Sequence, residues 1–137
     1  MISLTPQRID ELLSNLKTKR IAVVGDVMID RYVWGTVNRI SPEAPVPVVE
    51  VESETSRLGG AANVATNIVS LGASAFLIGV VGDDLSGREF RSELQQQKTS
   101  PDGIVTDPSR PTSVKTRVIA HNQHVVRIDS EEKKDIE

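Results

Sequence analysis

The stretch RLGGAANVATNIVSLG, residues 57–72, sets a glycine pair directly before a helical pattern. Ala61, Val64, Ala65 and Ile68 fall on one face, and Asn63, Thr66, Asn67 and Ser70 on the other. That is the spacing of an amphipathic helix, and Gly72 stands where a left-handed residue ends one. Two short apolar runs flank the stretch, RIAVVGD at 20–26 and ASAFLIGVVGD at 73–83. Such runs read as strands buried on both faces, as in a parallel sheet.

Further out, Thr5-Pro6 reads as the start of a helix, with Ile9, Leu12, Leu13 and Leu16 on one side. DLSGREFRSELQQQ, residues 84–97, is a second surface helix capped by Asp83 or Asp84. The segment RYVWGTVNRISPEAPVPVVEVES, residues 31–53, contains Pro42, Pro45 and Pro47. Proline donates no backbone hydrogen bond, so the segment is expected as an edge strand or flap, with VPVVEVE its best strand. VKTRVIA and HVVRID, joined by HNQ, predict a hairpin. Strands alternating with helices argue for an α/β fold, a parallel sheet flanked by helices with a small β accessory layer.

The bulk composition excludes several classes. A chain of 137 residues suits one domain. Its net charge of −3 offers no general attraction to nucleic acid or an anionic membrane. Cysteine is absent, which removes disulfides and thiolate metal sites. No run approaches the ~20 apolar residues of a membrane span, and the N-terminus lacks the features of a secretory signal. A cytoplasmic chain is expected. His121 and His124 have no evident third ligand, so no metal site is expected.

In open parallel sheets, ligands bind beyond the carboxyl ends of the strands. Three segments are expected as loops there: GDVMID at 25–30, RLGGAAN at 57–63 and VGDDLSG at 81–87. Glycine lets a ligand approach the main chain, and a helix start presents unpaired amides. Asp26, Asp30 and Asn63 supply polar groups suited to hydroxyls. Purely structural roles fit the same residues: Gly59 and Gly60 for close packing of helix on strand, Asp26 as a turn cap, Asp30 as a solvated carboxylate, Asn63 bonded to local backbone. Tyr32 and Trp34 suit either stacking on a sugar ring or plain packing. Composition and spacing reach a small-molecule site in an α/β domain and leave these alternatives open.

The combination GGAANVA, then Gly72 and Gly82, resembles the first signature of the ribokinase-like (PfkB) carbohydrate kinases. GDVMID is similar to that family's first sugar-binding strand end and GDDLSG to its G-x-D-x-x-G turn. RISPEAPVPVVEV followed by RLGGAANVA resembles the heptose phosphate kinases within it. The resemblance implies a ribokinase-like domain of which residues 1–137 are the N-terminal half, with β-lid segments at about 32–57 and 112–129. It implies that Asp30 binds sugar hydroxyls and that Gly59, Gly60 and Asn63 contact the sugar.

It further implies ATP- and Mg²⁺-dependent phosphorylation of the anomeric hydroxyl of D-glycero-D-manno-heptose 7-phosphate, toward ADP-heptose and lipopolysaccharide core. Among Arg39, Arg57, Lys115, Arg117 and Arg127, Arg57 is the first choice for the 7-phosphate, because it immediately precedes the glycine pair. The family's second signature, G-A-G-D, whose aspartate is the catalytic base, does not occur in the sequence. The chain alone is therefore expected to bind sugar weakly, to bind no ATP or metal, to carry no catalytic residue and to transfer no phosphate. A homodimer through the lid or the truncated sheet edge is also expected. Two alternatives are a Rossmann-type dinucleotide-binding domain, which lacks its G-x-G-x-x-G after the first strand, and a non-catalytic dimerisation module.

Overall fold

The computed structural model describes residues 4–136. Helix α1 (Pro6–Leu16) is opened by Thr5, whose hydroxyl accepts the Arg8 amide at 3.3 Å. None of its residues is buried, and its apolar stripe is only partly covered, with Ile9, Leu12 and Leu13 still exposed. Strand β1 (Arg20–Val24) leads through Gly25-Asp26 straight into β2 (Val27–Ile40), which turns back as β3 (Pro47–Gly60). Then come α2 (Ala61–Ser70), β4 (Ser74–Val81), α3 (Leu85–Gln96), β5 (Ile104–Thr106), β6 (Val114–Ala120) and β7 (Gln123–Ser130).

Two sheets form. One is parallel and three-stranded, in the order β1-β4-β5; the other is four-stranded, in the order β3-β2-β6-β7. In the second, β2 pairs antiparallel with β3 and parallel with β6, and β6 pairs antiparallel with β7. It takes in residues 27–60 and 114–130, set beside the expected lid segments at 32–57 and 112–129.

The core lies where the base of this sheet meets the helices. Val27, Ile29, Leu58 and Val114 pack with Ala62 and Ala65 of α2, Leu77 and Val81 of β4, and Phe90 and Leu94 of α3. Each fully buried large side chain among these contributes roughly 1.5–3 kcal/mol by leaving water. Alanines at the α2 contact let the helix lie close to the strands.

Helix ends follow their sequence signals. Gly72 has φ +91°; its amide bonds to the Val69 carbonyl, and the Ala73 amide to that of Ile68. This is a Schellman ending. Asp84, rather than Asp83, caps α3 by accepting the Gly87 amide at 2.7 Å. The hairpin between β6 and β7 turns on His121 and Asn122, both with positive φ (49° and 61°), as a two-residue primed turn requires.

Several expectations are corrected. Strand β1 is not buried on both faces: Val24 is 73% exposed, and Phe76 and Val105 on the same face of the sheet are 46% and 58% exposed. In α2 the buried residues are Ala62 and Ala65, while Val64 is half exposed. Residues 31–40 lie in a central strand, not an edge or flap. Its partner β3 is the edge strand and begins at Pro47, and Pro42 and Pro45 occupy the connecting loop. The physical reason is that β2 itself contains no proline, so both of its edges can pair.

Candidate functional site

Met28, Asp30, Tyr32 and Trp34 alternate along β2 and therefore share one face of the four-stranded sheet. Asp30 stands opposite Arg57 of β3 and Lys115 of β6, Met28 opposite Gly59, and Tyr32 opposite Arg117. Asp129 and Arg127 of β7 continue the face beyond Lys115 and Arg117. Residues far apart in sequence thus meet around one carboxylate.

Arg117 Nη1 donates to Asp30 Oδ1 at 2.6 Å, with both side chains about four-fifths buried. That hydrogen bond to Asp30 holds the Arg117 guanidinium above its ordinary pKa. The same guanidinium lies 5.3 Å from the centre of the Tyr32 ring, and that of Arg57 lies 5.8 Å from it. Such cation–π contacts are worth roughly 0.5–1 kcal/mol at accessible sites. The Tyr32 and Trp34 rings stack, with centroids 6.2 Å apart.

The glycine pair belongs to this arrangement sterically. A Cβ on Gly59 would lie 2.6 Å from Asp30 Oδ2 and 2.7 Å from Met28 Cγ. Gly60 has φ +58°, and a Cβ there would meet the Asp26 carbonyl at 2.3 Å. That carbonyl accepts the Ala61 amide at 2.8 Å and so closes the start of α2. The glycines therefore allow the end of β3 to press on β2 and the 25–26 turn. The three expected loops are corrected here: residues 27–30 and 57–60 are strand, 61–63 begin α2, Val81 ends β4 and 85–87 begin α3, which leaves Gly25-Asp26 and residues 82–84 as the connections. Asn63 lies in the first turn of α2, exposed.

The remaining cations divide. Lys115 is occupied by Glu131 at 2.7 Å and Asp129 at 3.3 Å, and its ammonium is held above the ordinary value, the Glu131 hydrogen bond being the main cause. Arg127 pairs with Asp129 at 2.9 Å. Arg39 sits near the far end of β2, opposite Val48, about 30 Å along the strand from Asp30. Arg57 has no carboxylate partner among the described residues. Beside the site, a cleft of about 760 Å³ opens at the ends of β1 and β4, lined in part by Gly25, Asp26, Met28, Gly79 and Arg110.

VGDDLSG has a different task. Asp84 Oδ1 accepts from Gly87 N and Thr112 Oγ1, and Oδ2 accepts from Thr112 N at 2.8 Å. Thr112 Oγ1 in turn accepts the Gly82 amide at 2.9 Å. Burial opposes ionisation of Asp84, but the bonds from Thr112 and Gly87, with nearby Arg88, bring its pKa below the ordinary value. This segment clamps α3 to the start of β6.

Of the residues singled out in the sequence, the structure brings Asp30, Arg57 and Gly59 onto one face, with Gly60 and Asn63 following at the α2 start. Sequence reading missed the Asp30–Arg117 pair and the Asp84–Thr112 clamp. Alternation in VKTRVIA places Lys115 and Arg117 on one face, but the register that sets them beside Asp30 is not written in either segment.

A strand passing directly into a β excursion, a glycine-led helix, and parallel strands backed by helices define a class of sugar kinase fold. Residues 18–137 match the pfkB family carbohydrate kinase pattern, and the chain belongs to that family. It is 56% identical over 113 residues to the bifunctional protein HldE of Helicobacter pylori (strain HPAG1), covering 82% of this chain and 24% of that protein. To the HldE protein of Wolinella succinogenes it is 52% identical over 125 residues, covering 91% and 26%. The chain thus spans about a quarter of the length of these curated relatives. In fold it is similar to the Arabidopsis thaliana ribokinase solved with ribose and ATP (TM-score 0.64, 20% identity, 79% of this chain and 34% of that one). A carbohydrate kinase from Agrobacterium tumefaciens gives a TM-score of 0.60 at 24% identity, over 82% and 35%. The fold is accordingly ribokinase-like α/β, present as part of the full domain. Among the described residues no helix is long and apolar enough to cross a membrane.

Proposed function

We propose that this chain is the sugar-binding part of an ATP-dependent kinase acting on a heptose phosphate, D-glycero-D-manno-heptose 7-phosphate, at its anomeric hydroxyl. The observation that carries the reading is the assembly of Asp30, Gly59, Arg57, Tyr32 and Arg117 on one sheet face. A carboxylate for hydroxyls, aromatic rings for a sugar face and guanidinium groups for a phosphate are the three kinds of partner a sugar phosphate needs. The likeness to HldE proteins supports the heptose branch.

Arg57 is the first ligand for the 7-phosphate on this reading, since no carboxylate among the described residues competes for it. Gly60 and Asn63 offer main chain and an amide at the helix start. On this reading ATP and Mg²⁺ serve the complete kinase, since this chain spans only about a quarter of the length of its relatives. Phosphoryl transfer rests on positioning and charge stabilisation, so the chain alone binds sugar without phosphorylating it. The uncovered apolar residues Val24, Phe76 and Val105 favour self-association of the chain.

Calorimetric titration with heptose 7-phosphate, fructose 6-phosphate and ribose tests the reading. Tightest binding of the heptose phosphate, weakened on the order of tenfold or more by Arg57→Ala through loss of a charge-assisted contact, is expected. Equal affinity for all three sugars would remove the heptose assignment.

A further inference from the structure

Arg117 already uses one oxygen of Asp30, the carboxylate that the proposed function assigns to sugar hydroxyls. Its guanidinium takes Asp30 Oδ1 at 2.6 Å, while Oδ2 receives no donor from the described residues and faces the bare main chain of Gly59. A carboxylate already bonded to a guanidinium is a poorer acceptor, and the bulk of Arg117 covers one of its two oxygens. Asp30 is not its sole support, since the same guanidinium lies 5.3 Å from the centre of the Tyr32 ring and Nη1 also donates to the Lys115 carbonyl at 3.4 Å. Arg57 shares that ring from the opposite neighbouring strand and has no carboxylate partner among the described residues. Lys115 and Arg127 are tied to Asp129 and Glu131, so they are not the cations in play.

We infer that Arg117 is a specificity residue that senses phosphate: the phosphate of an incoming sugar phosphate draws Arg117 off Asp30, and the released carboxylate then accepts the sugar hydroxyls. The inference rests on the reading of this face as a sugar site and adds a coupling between two of its parts. A phosphate dianion offers a guanidinium a stronger, bidentate partner than one carboxylate oxygen. An unphosphorylated sugar has nothing to give Arg117 in exchange, so it must compete with the ion pair unaided. Selectivity for phosphorylated sugar thus arises from a contact that excludes the other kind as much as from one that attracts the right kind.

The experiment is calorimetry on the full 137-residue chain with D-glycero-D-manno-heptose and its 7-phosphate, in the wild type and in Arg117→Gln. In the wild type the phosphorylated sugar binds more tightly. In the variant that ratio shrinks on the order of tenfold, the size of one charge-assisted hydrogen bond, with the phosphosugar weakened and the free heptose bound at least as tightly as before. A purely structural role for Arg117 would lower both affinities together and leave the ratio unchanged, and that result overturns the inference.

A second measurement needs no variant. Inorganic phosphate should tighten binding of unphosphorylated heptose to the wild type several-fold, by linkage, whereas chloride at equal ionic strength should not. No effect of phosphate also overturns the inference. If the wild type binds neither sugar, the sugar-site reading itself fails and takes the inference with it. If it binds both but shows neither effect, the site stands and Arg117 is only part of its wall.

Discussion

Asp84 and Asp30 are both partly buried carboxylates with partners distant in sequence, yet their surroundings differ in kind. Asp84 receives three hydrogen bonds, two of them from backbone amides, and both its oxygens are used. Among the described residues Asp30 receives one, from the end of a long side chain, and its second oxygen receives none. Backbone donors cannot leave without unfolding a turn; a guanidinium can rotate away. A saturated carboxylate therefore marks architecture, and a half-satisfied one with a removable partner marks a place where something else can bind.

Asp84→Ala is the largest test of the contrast. It removes the cap of α3 and leaves the Thr112 amide and hydroxyl without their acceptor. A stability loss of about 2–4 kcal/mol is expected from the cap together with the charge-assisted bonds, read as a shift of the urea midpoint at constant slope. A loss below about 0.5 kcal/mol, the level of an ordinary surface change, would show that the clamp does not hold the two sheets' connection together.

Gly59→Ala should act the other way round. Its Cβ would push against Asp30 Oδ2 and Met28 Cγ, so both side chains must shift. Overpacking of this kind costs roughly 1–3 kcal/mol. The sugar phosphate affinity, however, should fall on the order of tenfold or more, because small misplacements of a binding group cost far more than stability. Unchanged affinity in a folded Gly59→Ala protein would separate the glycine from the site.

The contrast also explains what the sequence disclosed. Helix ends were legible because their chemistry is local: Thr5 with Pro6, Gly72 in the left-handed region, an aspartate before Leu85. The α/β class was legible from the alternation of apolar runs with amphipathic ones. Asp30 and the glycine pair became candidates by resemblance, and Arg57 by its place directly before the glycines. Arg117 could not be singled out from the other strand cations, because its partner lies 87 residues away and the pairing depends on the β2–β6 register. The exposure of Val24 was illegible for a related reason: an apolar run shows that a face suits burial, not which element covers it.

The smallest effect concerns acid. The pKa of Asp84 lies below its ordinary value of 3.8 in the folded chain, so the unfolded chain takes up that proton first as pH falls. The stability Asp84 contributes is therefore complete above pH 3.8, declines as pH falls from there through the folded-state pKa, and is lost below it. Asp107 is lowered as well, through Ser109, and Asp129, against its burial, through Arg127 and Lys115, so the acid limb of the wild type alone does not isolate Asp84. Subtracting the Asp84→Ala curve removes the two that both proteins share. The difference between the two stability curves should be flat near neutrality and narrow toward pH 3. A difference that stays constant across that range would mean that the Thr112 and Gly87 bonds do not depend on the charge of Asp84, and the clamp would then be held by shape rather than by an ionised acceptor.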